Sequence, residues 1–172
     1  MAVRQLVLSS RQIRDRVAEL AQQISADYAD RNLVMIGVLN GAFIFLADLA
    51  RAVTIPHQID FIRVASYGQS ATSSGTIRLA KDAEIDLDGR DVLLVEDIVD
   101  TGTTLAWLTE KFKEKKAASV RICSLIDKQE RREREVRIDY VGFTLQQGFL
   151  VGYGLDYAEQ HRSLPDIYSL QL

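Results

Sequence analysis

Ten consecutive residues, Val95-Glu96-Asp97-Ile98-Val99-Asp100-Thr101-Gly102-Thr103-Thr104, bring together side chains that suit one kind of ligand. Glu96 and Asp97 are adjacent carboxylates closing an apolar run. Asp100-Thr101-Gly102-Thr103-Thr104 then opens a helical pattern and offers successive backbone N–H groups, hydroxyls and a helix N-terminus to an anion. Helix capping by Asp100 or Thr101 explains a bare Asp-Thr-Gly about equally well. The acid pair tips the balance, because two carboxylates beside a phosphate loop repel the phosphate unless they face hydroxyls or a cation on the same ligand. A ribose phosphate that chelates a divalent cation meets that condition: its 2′ and 3′ hydroxyls donate to the acids while loop amides take the 5′ phosphate. Neither Gly-x-x-x-x-Gly-Lys-Ser/Thr nor a Gly-x-Gly-x-x-Gly after a strand occurs, so P-loop and dinucleotide readings fail.

The elements around this loop must hold it at a strand end. Val92–Val95 and Leu33–Leu39 are short continuous apolar runs, which suit strands buried on both faces of a parallel sheet, and Ile59–Ala65 and Val120–Ile126 read as further strands. Between them lie helical patterns: Ile13, Val17, Leu20, Ala21 and Ile24 after the capping serines Ser9 and Ser10, a helix from Gly41 to Val53, and Leu105, Leu108 and Phe112. Alternating strands and helices predict an α/β fold, a central mostly parallel sheet flanked by helices with right-handed crossovers. Gly68–Gly75, small and polar, reads as a mobile loop, and Gln129–Arg137 as a solvated charged stretch. The late apolar pieces Tyr140–Phe143 and Phe149–Tyr153, with the terminal segments, are expected to form a small hood over the sheet. No repeat or linker divides the chain, so residues 1–172 read as one domain.

Bulk properties narrow the function. A composition 47% hydrophobic and 26% charged is that of an ordinary domain with a real core. A formal net charge of −3 offers no general basic field for nucleic acid. The lysines and arginines of residues 110–135 are interleaved with glutamates, which favours a solvated face over an RNA site. Cys123 is the only cysteine, which excludes an intrachain disulfide and paired-thiolate zinc sites and fits a cytoplasmic setting. No run approaches the ~20 apolar residues of a membrane span, and Met1–Asp15 has no signal-like apolar core.

Residues Val92–Leu105 resemble the signature of type I phosphoribosyltransferases, which bind phosphoribosyl pyrophosphate. Val38-Leu39-Asn40-Gly41-Ala42-Phe43, Ser66-Tyr67-Gly68 and Phe149-Leu150-Val151-Gly152-Tyr153-Gly154-Leu155-Asp156-Tyr157 are similar, in order, to blocks of the hypoxanthine-guanine branch. The resemblance implies the fold of that family and magnesium-dependent transfer of a phosphoribosyl group to N9 of a 6-oxopurine. It implies that Glu96 and Asp97 hold the ribose hydroxyls directly or through Mg2+, that Asp100, Thr101, Gly102, Thr103 and Thr104 hold the 5′ phosphate, and that Asp100 is the general base toward purine N7. Leu39, Asn40 and Gly41 would present backbone amides to pyrophosphate, joined by Arg162, while Ser66, Tyr67 and the stretch after them close over the site. Phe149 would stack on the purine, the Leu150 backbone would read its edge, and Asp156 would bind a magnesium touching pyrophosphate. His161 is left to the surface.

Two positions depart from the family's pattern. Asn40 stands where lysine is usual, and Arg137 is taken as the replacement for the lysine that meets the purine 6-oxo group, differing in reach and geometry. A cationic donor there favours hypoxanthine or guanine over adenine, whose amino group offers no acceptor. Two alternatives stay open: a xanthine-preferring transferase, and a regulatory protein that senses phosphoribosyl pyrophosphate and binds nucleic acid. The expected partners are the donor and a 6-oxopurine, with no nucleic acid and no membrane, and the family implies a homodimer or homotetramer.

Overall fold

The apolar runs are indeed strands of one sheet. The computed structural model describes residues 3–67 and 76–171, and in it the chain runs β1 (Val3–Leu8), α1 (Ser10–Asp27), β2 (Leu33–Leu39), α2 (Phe43–Ala52), β3 (Gln58–Tyr67), β4 (Thr76–Lys81), β5 (Asp91–Val99), α3 (Thr103–Glu114), β6 (Ser119–Lys128), β7 (Tyr140–Leu145), β8 (Phe149–Val151) and β9 (Ile167–Gln171). The main sheet has the order β4-β3-β2-β5-β6-β7, and all its pairings are parallel except that of β4 with β3. Successive residues of β5 enter opposite halves of the core. Leu93 and Val95 pack with α1 and α2, whereas Val92 and Leu94 pack with Leu105, Leu108 and Phe112 of α3. A strand with a helix on each face must be apolar throughout, and this one is.

Helix α1 begins as its sequence directs. The Ser9 side chain accepts from the Gln12 N–H, the Gln12 side chain accepts from the Ser9 N–H, and Ile13, Val17, Leu20, Ala21 and Ile24 form the buried stripe. From β2 the chain passes through α2 to β3 on one side, and from β5 through α3 to β6 on the other. The carboxyl ends of β2 and β5 therefore flank the switch point where loops diverge and a ligand cleft opens.

Two expectations change. Tyr140–Phe143 does not join the hood; it lies in β7, parallel to β6 with Tyr140 opposite Cys123. Its fate is decided by distant polar partners: Arg16 of α1 donates to the carbonyls of Gly142 (2.9 Å) and Val141 (2.7 Å), and the Tyr140 hydroxyl donates to Asp27 (2.6 Å). The hood is, as expected, built from both terminal segments and Phe149–Val151, as the three-stranded antiparallel sheet β1-β9-β8. Finally, β5 continues past Val95 to Val99, paired to β6 as far as Asp127, so Glu96 and Asp97 belong to the strand. The backbone of Ser66 and Tyr67 ends β3 opposite Ile77 and Thr76, and the Gly68–Gly75 loop lies outside the described residues. Among the described residues, no helix is long and apolar enough to cross a membrane.

Candidate active site

At the end of β2 the chain turns through Leu39, Asn40 and Gly41, with a cis peptide between the first two. Gly41 leaves no room for a side chain: a Cβ there would stand 2.0 Å from Asp97 Oδ2. Behind it, Gly154 has φ +99°, and a Cβ on it would stand 2.1 Å from the Gly41 carbonyl oxygen. Two glycines thus let the β2 loop, the β5 carboxylates and the hood loop meet at backbone distance.

Glu96 Oε1 accepts from the Asp97 N–H (3.2 Å), and Asp97 Oδ1 accepts from the Ile98 N–H (2.8 Å). Asp97 is only 8% exposed. Burial holds the Glu96 carboxyl well above its ordinary range, and the neighbouring Asp97 charge adds to this. Burial also raises Asp97, against the opposing hydrogen bonds from Glu96 and the Ile98 N–H and the more distant Arg162 charge. Two buried acids this close ask for hydroxyl donors or a cation on whatever binds beside them.

The loop expected to hold a phosphate follows β5. Gly102, in the left-handed region at φ 83°, is the N-cap of α3 and provides no side-chain cap, so neither Asp100 nor Thr101 serves as the helix cap. Thr101 Oγ1 instead accepts from the Thr103 N–H within the turn (3.3 Å). Asp100 Oδ1 is buried without a hydrogen-bond partner; Lys128 Nζ is 4.0 Å from it, and an Arg131 nitrogen is 3.5 Å from Oδ2. The charged stretch 129–137 is not merely a solvated face. It folds back over this loop, with the Glu133 and Arg134 N–H groups donating to the Thr101 carbonyl (2.9 and 3.0 Å) and Arg132 Nε donating to that of Asp100 (3.1 Å).

Beyond Asp100, Lys128 closes β6 buried, its Nζ donating to the Gly148 carbonyl (3.0 Å) next to Phe149. Phe149 is 40% exposed and meets the Tyr157 ring edge to face at 5.4 Å, while Leu150 beside it is buried. Arg137 is not among these residues. It is 91% exposed, pairs with Asp139 (3.2 Å), and lines a separate groove along α3 with Thr109 and Lys113. Lys128, at the end of β6, is the lysine that stands near Asp100 and Phe149. The sequence signal for Lys128 is its place at the end of the strand that follows α3, which neighbours β5 in the sheet.

Arg162 donates to the Gly154 carbonyl (2.8 Å) and lies 3.4 Å from Asp156 Oδ1, while Asp156 Oδ2 accepts from the Glu159 N–H (3.0 Å). Leu39, Gly41, Glu96, Asp97, Asp156 and Arg162 line one cleft of about 310 Å³, and Thr104 reaches it from the phosphate loop. Among the described residues no three acids, histidines or cysteines cluster as a metal cage. The acids on the cleft fit Mg2+, which takes one or two protein carboxylates and completes its shell with ligand phosphates and water.

The Phosphoribosyl transferase domain family matches residues 6–158. The hypoxanthine-guanine phosphoribosyltransferase of Mycobacterium tuberculosis is 45% identical, over 98% of this chain and 86% of that protein. Its namesake in Bacillus subtilis is 42% identical, over 96% of this chain and 92% of that protein. A crystal structure of a hypoxanthine phosphoribosyltransferase from Staphylococcus aureus superposes with a TM-score of 0.93 at 38% identity, covering 97% of this chain and 91% of that one.

Proposed function

The chain belongs to the phosphoribosyltransferase family, and on that premise we propose that it is a purine-salvage enzyme transferring the 5-phosphoribosyl group of phosphoribosyl pyrophosphate to N9 of hypoxanthine or guanine. Asp100 carries the proposal. Its buried carboxylate oxygen, without a hydrogen-bond partner, lies at the Lys128–Phe149 corner, where a base bound over Phe149 would turn its imidazole edge.

In the proposed reaction the N9 lone pair attacks C1′, the bond from C1′ to the pyrophosphate oxygen breaks, and the N7 proton passes to Asp100. The ribose goes through an oxocarbenium-like state, so water must be kept out. The amides of Thr101 to Thr104 and the α3 N-terminus hold the 5′ phosphate, and Glu96 and Asp97 face the ribose hydroxyls. Leu39, Asn40, Gly41 and Arg162 take the pyrophosphate, a bidentate guanidinium matching its oxygens, and Ser66 and Tyr67 border the opening. Phe149 stacks on the purine and the Leu150 backbone meets its edge. Lys128, rather than Arg137, donates to the 6-oxo group. Glu96, Asp97 and Asp156 are the residues that would hold Mg2+, which when bound supplies positive charge against the ribose hydroxyls and the departing pyrophosphate. A cytoplasmic setting and assembly as a homodimer or homotetramer complete the proposal.

The test is a panel of hypoxanthine, guanine, xanthine, adenine and uracil incubated with donor and Mg2+, with nucleotide formation followed. Turnover of hypoxanthine or guanine is expected. Xanthine as the preferred base would move the assignment to the xanthine enzyme, and no turnover of any purine would end it.

A further inference from the structure

Arg132 belongs to the charged stretch, yet it is only 14% exposed and its Asp127 partner 11%. Its guanidinium bridges three acceptors: the Asp127 carboxylate, the Lys128 carbonyl (3.4 Å) and, through Nε, the Asp100 carbonyl (3.1 Å). Asp127 is anchored in turn, as the partner of Val99 in the β5–β6 ladder and as acceptor from Gln129 (3.4 Å). The same segment places the Glu133 and Arg134 N–H groups on the Thr101 carbonyl and brings Arg132 Cδ to 3.2 Å from where a Gly102 Cβ would be.

Planar peptides turn these contacts into an orientation. In a trans peptide the carbonyl and the N–H of one unit point opposite ways. Holding the Asp100 carbonyl on Arg132 therefore aims the Thr101 N–H away from Arg132. Holding the Thr101 carbonyl on Glu133 and Arg134 aims the Gly102 N–H away in the same manner. We propose that Arg132, fixed by Asp127, is the positioning residue of the phosphate loop: it grips the Asp100 carbonyl from behind, beside the Glu133 and Arg134 N–H groups on the Thr101 carbonyl, so that successive N–H groups converge on the 5′ phosphate. Arg132 touches no substrate. This deepens the phosphoribosyl reading above and rests on it for the ligand's identity. The dull alternative is a buried ion pair that only staples β6 to the segment after it, which would affect folding and not the loop.

Binding of ribose 5-phosphate by titration calorimetry needs no turnover and reads the loop alone. Steady-state KM values for donor and purine, with Tm, complete the measurement. Arg132→Gln is expected to weaken ribose 5-phosphate and raise the donor KM by about 10- to 100-fold, the scale of a sub-ångström to ångström misplacement, with the purine KM within about 2-fold. The exchanged pair Asp127→Arg with Arg132→Asp is expected to recover Tm while ribose 5-phosphate binding stays weak, because the donor to the Asp100 carbonyl is gone. If Arg132→Gln does not fold, Arg132→Lys replaces it: the ammonium keeps the charge at Asp127 but lacks the Nε–H, so Tm is expected to hold while affinity falls. Wild-type affinity in the folded variant, or affinity recovered together with Tm in the exchange, would overturn the proposal. Failure of the wild type to turn over any purine, with the loss of ribose 5-phosphate binding intact in the variant, would instead overturn the phosphoribosyl reading and leave the positioning role standing.

Discussion

In the proposed reaction the contact to the purine 6-oxo group turns on which cation stands beside Phe149. The family resemblance pointed to Arg137 as the replacement for a lysine, but a lone sequence does not place the lysines and arginines of residues 128–137 relative to the cleft. Backbone position separates them: Lys128 is the last residue of β6 and is buried against the Gly148 carbonyl, whereas Arg137 lies along α3 with its side chain in solvent. Lys128→Ala is expected to raise the purine KM by about 10- to 100-fold, the worth of a hydrogen bond to a charged donor, while leaving the donor KM near its wild-type value. Arg137→Ala is expected to leave both constants within about 2-fold, since an exposed pair with Asp139 contributes little. Initial-rate measurements on the two variants decide between the positions. That Glu96 and Asp97 would share a cleft was legible, because adjacent acids at the end of an apolar strand lie where a parallel sheet opens. The glycine contacts were not, since only coordinates reveal that Gly41 lies against Asp97 and Gly154 against Gly41.

Continuous apolar strands declare themselves, so β2, β5 and β6 could be read directly, as could the capped helix α1. β1 gives a weak signal because most of its residues are exposed, and β7 was misplaced because its partners Arg16 and Asp27 are more than a hundred residues away. The edge of the main sheet holds a further device invisible in sequence. Asp60 of β3 accepts from the N–H groups of Phe61 (2.7 Å), Glu84 (2.7 Å) and Ile85 (2.9 Å), with Lys81 at 3.7 Å, and so ties the chain after β4 back onto the strand. Burial pushes its carboxyl up, but the N–H groups of Ile85, Phe61 and Glu84, helped by Lys81, outweigh this and leave it below its ordinary value. A carboxyl depressed in the folded state adds stability above its unfolded value and loses that contribution as pH falls through its folded one. Asp60→Asn is therefore expected to cost about 1–3 kcal/mol near neutrality, with the gap to wild type narrowing below about pH 4. Urea unfolding of both proteins at pH 7 and in the acid range measures it. An equal gap at both would show that the carboxylate charge is not what the N–H groups hold.

Over the whole molecule, the hood is a separate sheet without a separate core. Leu8, Leu150, Tyr153, Leu155 and Ile167 belong to the same buried cluster as Leu20 and Ile24 of α1, Phe45 of α2 and Val95 of β5. Polar ties reinforce the seam: the Tyr153 hydroxyl donates to Asp48 of α2, and Asp166 accepts from the Ser10 N–H at the start of α1. Lifting the hood would expose one wall of the α1–α2 core to water and break both ties. Residues 1–172 are thus expected to unfold as one cooperative unit, the behaviour of a domain whose parts share one core. Trp107, the lone tryptophan, lies on α3 at the opposite face of the sheet from the hood, so its fluorescence reports the far side of the molecule. Thermal melts followed by Trp107 fluorescence, far-ultraviolet circular dichroism and calorimetry are expected to coincide at one midpoint, with the calorimetric and van't Hoff enthalpies equal. An early calorimetric transition that leaves Trp107 undisturbed would mean that the hood opens alone. Gly154 would then leave Gly41, and the side of the cleft proposed to take pyrophosphate would come apart before the loop between β5 and α3 does.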